Sequence, residues 1–82
     1  MTLEILTPDK IVYQGEIIAV TVPGSMGSFQ ILNQHAPIIA TLEQGNVVVR
    51  SATKSTDTFS IRGGVVEVLR NKVIILVEGL IN

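Results

Sequence analysis

Ser25 and His35 are the two side chains of this sequence from which a nucleophile and its general base could be assembled. Acyl transfer by such a pair needs the serine on a strained Gly-x-Ser-x-Gly elbow between strand and helix, and a carboxylate to orient the imidazole. Gly24-Ser25-Met26-Gly27-Ser28 has the composition of that elbow without its spacing, no helical pattern follows it, and no motif supplies the carboxylate. It reads as a turn. His35 is the only histidine and cysteine is absent, which excludes a disulfide framework and any zinc site built from Cys and His ligands. His35 therefore reads as a structural or interface residue. Gly63-Gly64 is too short to cradle a phosphate, and no Gly-Lys-Ser or Gly-Lys-Thr occurs. Glu67 alternates with Val66 and Val68 without a paired carboxylate, as on a solvated strand face. Lys10, behind the turn Thr7-Pro8-Asp9, sits where a hairpin tip could present a covalently attached biotinyl or lipoyl group. A small carrier domain of that kind is the alternative reading. The chain is expected to have no catalytic site, cofactor or metal of its own.

The elements that would position these residues are strands. Val, Ile and Thr number 11, 11 and 7 of 82 residues, in short runs bounded by Gly, Pro, Asn and Asp, and no window sustains a helical apolar stripe. The pattern predicts strands at Leu3–Leu6, Ile11–Tyr13, Glu16–Val22, Ser28–Leu32, Ile38–Glu43, Val47–Ala52, Thr58–Arg62, Val65–Arg70 and Val73–Glu78. Thr7-Pro8-Asp9-Lys10, Gln44-Gly45-Asn46, Gly63-Gly64 and Arg70-Asn71-Lys72 supply the turns, and Gly15 suggests a bulge. Phe59 and Ile61 fall on one face while Thr58, Ser60 and Arg62 fall on the other. Val73 to Val77 and much of Ile17 to Val22 are apolar on both faces, as in strands with a core on one side and a second contact on the other. A single all-β domain over residues 1–82, a compact sandwich or flattened barrel, follows.

Charge narrows the partners. Six Lys and Arg against seven Asp and Glu, with three aromatics and no Trp, suit neither phosphate neutralisation nor base stacking, so nucleic acid is not expected. Hydrophobic residues are 46% and charged ones 16% of a chain too small to bury all its apolar surface. From Ile17 to Leu42 no Asp, Glu, Lys or Arg occurs, which is long enough to span a bilayer, but Pro23-Gly24, Gly27, Asn33-Gln34 and Pro37 interrupt it. Neither a spanning helix nor a secretory signal is read, and the default compartment is the cytoplasm. Charge depletion is the mark of an interface centre, so this segment is expected to dock a partner by apolar and hydrogen-bonded contact, with weak dependence on salt.

The same segment carries a resemblance. Val22-Pro23-Gly24-Ser25-Met26-Gly27-Ser28-Phe29-Gln30-Ile31-Leu32-Asn33-Gln34-His35-Ala36-Pro37-Ile38-Ile39 resembles a stretch of the epsilon subunit of the F-type, proton-translocating ATP synthase. Leu42, Gly45, Phe59, Gly63-Gly64-Val65-Val66-Glu67-Val68 and Asn71-Lys72-Val73 follow in the family's order, so the likeness covers nearly the whole chain. It implies a flattened β-sandwich of about ten short strands, the family's N-terminal domain in a short form. It also implies a non-catalytic piece of the rotor's central stalk, held by the gamma subunit on the ring of c subunits, which couples proton translocation to ATP synthesis. Such a subunit is peripheral on the cytoplasmic face of the energy-transducing membrane. A domain this small that devotes a large part of one face to a partner is expected to be able to self-associate when isolated.

Residue by residue, Ser28, Phe29, Gln30, Ile31 and Leu32 resemble the portion that faces the c ring. His35, Ala36, Pro37 and Ala40 resemble the portion that meets gamma, with Thr7 on what is expected to be the neighbouring strand. Ser28 stands where an acidic residue is frequent, Gln30 where Gly is frequent, and Asn33-Gln34 where Pro-Gly is frequent. Many family members continue into a helical hairpin. Here Asn82 follows the last predicted strand, so the resemblance implies coupling and assembly without an inhibitory arm or that hairpin's nucleotide site.

Overall fold

The computed structural model describes residues 1–81. Eight strands follow in chain order: β1 Thr2–Thr7, β2 Lys10–Val22, β3 Phe29–Leu32, β4 Ile38–Leu42, β5 Gly45–Ser51, β6 Thr56–Ile61, β7 Gly64–Leu69 and β8 Lys72–Val77. No helix occurs among the described residues. Five strands in the order β4-β7-β8-β1-β2 form one leaf, and β3-β2-β5-β6 form the other. Only β1 and β8 pair in parallel, so the first and last strands lie side by side within the five-stranded leaf.

The two leaves are one curled sheet because β2 belongs to both. Its first half pairs with β1, its second half with β3 and β5. Nine strands were expected and eight form, because Ile11–Tyr13 and Glu16–Val22 are continuous through Gly15. Gly15 is not the bulge: it pairs in register with Leu3. The extra residues are Val12, between the pairs Ile5–Tyr13 and Leu6–Ile11, and Ile18, between Ile17–Ser51 and Ala19–Arg50. A bulge shifts the two-residue alternation by one. Buried Ile17 is thus followed by exposed Ile18 and then by buried Val20 and Val22. The two-faced apolarity of Ile17 to Val22 therefore marks a change of phase where the strand turns from one leaf into the other.

Elsewhere alternation sorts the side chains cleanly. Leu3 and Ile5 of β1, Val66 and Val68 of β7, and Val73 and Ile75 of β8 face Val20, Val22, Ile31, Val47, Val49 and Ile61 across a core that holds no buried polar side chain among the described residues. Tyr13 meets Phe59 edge to face across the leaves, ring centroids 5.8 Å apart. Backbone bonds close the curl at both open sides. Ser25 N–H donates to Thr41 O and Glu43 N–H to Pro23 O, while Arg62 N–H donates to Gly79 O and Ile81 N–H to Ser60 O. Gly64 is required by β8, since a Cβ there would collide with the Leu76 carbonyl.

Candidate docking surfaces

The loop between β2 and β3 is a tight turn. Gly27 N–H donates to Gly24 O at 2.9 Å, which lifts Ser25 and Met26 to the apex and leaves Met26 fully exposed. Gly24 is needed here because a Cβ would sit 2.6 Å from Gly27 O and 2.8 Å from the Phe29 ring. The loop is fastened to β4, where the Thr41 hydroxyl donates to Ser25 Oγ at 3.0 Å. His35 Nδ1 lies 2.7 Å from the carbonyl of Ala36. Ser25 and His35 are thus engaged with other partners, Thr41 and Ala36.

Of the five residues expected to face the ring, Ser28, Gln30 and Leu32 point outward. Phe29 is half-buried against the core, and Ile31 is fully buried, so Ile31 can act only by holding the strand. Of the residues expected to meet gamma, Ala36 and Pro37 are exposed, His35 is half-buried and Ala40 packs on the core. An open hollow of about 380 Å³, lined by Gly24, Met26, Phe29, Ile39 and Ala40 among others, brings Phe29 of the first group beside Ala40 of the second.

Thr7 is not on the strand next to Ala40. Between β1 and β4 lie β8 and β7. Ile38 aligns through Val68 and Val73 with Leu3, which places Pro37 and Thr7 at opposite ends of the five-stranded leaf. Three strand spacings across and five residues along separate them by on the order of 20 Å.

Between those two points lies a surface that the sequence marks only in part. Register aligns Thr41, Val65, Leu76, Leu6 and Ile11 in one row across all five strands of the leaf. Their side chains alternate with the core residues, so the row faces outward. Leu76 is 53% exposed, Ile11 57% and Val65 36%. Two residues along, Ile39 stands 73% exposed beside Glu67. The charges Glu4, Glu16, Glu67 and Lys72 all lie in the other half of this face, so the apolar row is uninterrupted. Its signal in the sequence is the run of consecutive apolar residues in Ile5-Leu6, Val65-Val66 and Ile74-Ile75-Leu76. Only the last was read as a second contact.

Lys10 is the first residue of β2, paired with Thr7 and exposed, and the Thr7 hydroxyl donates to its carbonyl. No helix among the described residues is long and apolar enough to cross a membrane.

Residues 1–82 match the family model described as ATP synthase, Delta/Epsilon chain, beta-sandwich domain. An ATP synthase epsilon chain of Chlorobaculum tepidum is 48% identical over 77 residues, covering 94% of this chain and 88% of the relative. The epsilon chain of Chlorobium limicola is 46% identical, covering 93% and 86%. That of Sulfurimonas denitrificans is 44% identical and covers 99% of this chain, which spans only 62% of that longer relative. Among solved structures, a chain of the Euglena gracilis mitochondrial ATP synthase superposes with a TM-score of 0.89 at 22% identity, covering 96% of this chain and 51% of that one. A chain of the Tetrahymena thermophila mitochondrial ATP synthase central stalk and c ring gives 0.82 at 24% identity, covering 100% and 66%. The curled two-leaf sheet is therefore that of these chains, and the sequence belongs to the ATP synthase delta/epsilon chain family through its β-sandwich domain.

Proposed function

We propose that the chain is a non-catalytic subunit of the rotor's central stalk, bound by gamma and seated on the c ring, and that it helps couple proton translocation to ATP synthesis. The observation that carries this reading is the outward apolar row Val65–Leu76–Leu6–Ile11 on the five-stranded leaf. An outward apolar row across four adjacent strands of so small a domain is a docking surface rather than a solvated face. Gamma lies across that leaf and reaches Thr7 at one end and His35, Ala36, Pro37 and Ala40 at the other. The c ring is met by the β2–β3 loop and the outward residues Ser28, Gln30 and Leu32, with Phe29 and Ile31 anchoring the strand beneath them.

The hydrogen-bonded path between the two contacts suits a part that must not slip. β3 hangs by backbone hydrogen bonds from the second half of β2, whose first half is an edge of the gamma-facing leaf. The loop's bonds to β4 add a second tie. Torque delivered at the loop thus passes through a closed hydrogen-bonded sheet with a fully apolar core. The site is peripheral, on the cytoplasmic face of the energy-transducing membrane. The carrier reading of Lys10 is set aside because the family match takes in Lys10 with the rest of the chain.

Co-purification tests this. The tagged chain is drawn from membranes of its own cell in mild detergent and its companions are identified by mass spectrometry. Gamma and the c ring are the expected companions. A carboxylase or acyltransferase with a discrete mass increment on Lys10 would overturn the reading, and so would the absence of any stalk component.

A further inference from the structure

We propose that Asn71, in the β7–β8 turn, is a positioning residue for the partner-facing segment His35-Ala36-Pro37. This rests on the docking reading above and extends it to a residue outside the surface itself. The segment follows Asn33-Gln34, where the backbone reverses between β3 and β4. Gln34 holds φ at 64°, a left-handed conformation that a residue with a Cβ adopts only when its surroundings impose it. Asn71 imposes it from 37 positions further along the chain. Its Oδ1 accepts the Gln34 N–H at 2.8 Å, and its Nδ2 donates to Asn33 Oδ1 at 2.9 Å.

Asn71 is itself fixed. It sits at φ 63°, beside Arg70 at 52°, and its carbonyl accepts the Thr2 N–H at 3.2 Å. One half-buried carboxamide therefore ties the β3–β4 connection to a turn that is held against β1. His35 N–H donates to Leu32 O at 3.1 Å, which completes the reversal. Past that point His35 Nδ1 engages only its neighbour Ala36, and Ala36 and Pro37 are exposed. The direction in which the segment leaves the reversal is thus set by Asn71, while the residues that would touch the partner contribute little to their own placement. Asparagine suits the task twice, because it tolerates a left-handed backbone and carries both a donor and an acceptor.

Two variants separate positioning from folding. Asn71→Gly accepts the left-handed backbone and keeps the carbonyl bond to Thr2, but removes both carboxamide bonds. Asn71→Asp keeps the acceptor for Gln34 N–H, and its second oxygen accepts from Asn33 once that side-chain amide turns its Nδ2 toward it. Amide exchange followed by NMR on the isolated full chain reads the segment, and titration with the cognate gamma subunit reads docking. In Asn71→Gly the Gln34 amide is expected to lose protection while Val66 and Ile75 keep theirs, and gamma binding is expected to weaken about tenfold. Asn71→Asp is expected to restore both. Unchanged Gln34 protection in Asn71→Gly overturns the proposal, as does lost protection with unchanged gamma affinity. Failure of the wild-type chain to bind gamma overturns the docking reading itself, and the proposal with it, whatever Gln34 shows.

Discussion

Outward from the four-stranded leaf, register aligns Gln30, Thr21, Val48 and Thr58 in one row and Asn46 with Ser60 in the next, where the Ser60 hydroxyl donates to Asn46 Oδ1 at 2.8 Å. Outward from the five-stranded leaf, the corresponding row is Val65, Leu76, Leu6 and Ile11. Both rows lie over the same core, and both belong to strands of similar length. Neither strand propensity nor core packing requires the difference, because a threonine serves a solvated strand as well as a leucine. What differs is the surface each face meets: the first satisfies its polar groups with water and with itself, and the second leaves large side chains with nothing to cover them. A small sandwich can thus keep an apolar docking row on one leaf while the other, outside the β3 edge offered to the proposed c-ring contact, stays polar and solvated.

The most drastic way to break the comparison is to destroy the core that both faces share. Gly64→Val drives a side chain into β8 at Leu76 and Val77, and is expected to cost at least about 3 kcal/mol and abolish the cooperative unfolding transition seen by circular dichroism. The next effect sharpens it. Leu6→Ala, Val65→Ala and Leu76→Ala combined are expected to weaken gamma binding about 100-fold by calorimetry, with a smaller effect on melting than a core substitution, since these side chains lie outside the core and are already partly in water. On the other side of the molecule, Gln30→Ala is expected to lower capture of the c ring severalfold in pull-downs and to leave gamma binding unchanged. The smallest effect is that of salt. Gamma affinity is expected to change less than about threefold between low and moderate NaCl, because the apolar row carries no charge to screen. A steep salt dependence would transfer the contact to the charged half of the face, around Glu4, Glu67 and Lys72.

Much of this was legible from residue types alone. Alternation placed Phe59 and Ile61 inward and Thr58 outward, as found. Gly63-Gly64, Pro8 and Asn71 mark chain reversals where reversals occur. The bulges at Val12 and Ile18 were not legible, because a bulge leaves no residue signature when the extra position is itself an apolar β-former. For the same reason the two-faced apolarity of β2 was read as a second contact when it records a phase shift. The outer row was legible only along single strands. Leu6, Ile11, Val65 and Leu76 become one surface through the pairing of β1 with β8, residues some seventy positions apart, and pairing at that range has no local mark. Thr7 was placed beside Ala40 for want of the same information.

The most direct test of the docking face is to put a negative charge on each leaf in turn and titrate the cognate gamma subunit. Leu76→Asp and Thr58→Asp are both exposed strand positions, on opposite leaves. The wild-type chain and Thr58→Asp are expected to bind within about twofold of each other, and Leu76→Asp about 100-fold more weakly, with all three folded alike. Equal binding by all three, or a loss confined to Thr58→Asp, would contradict the account.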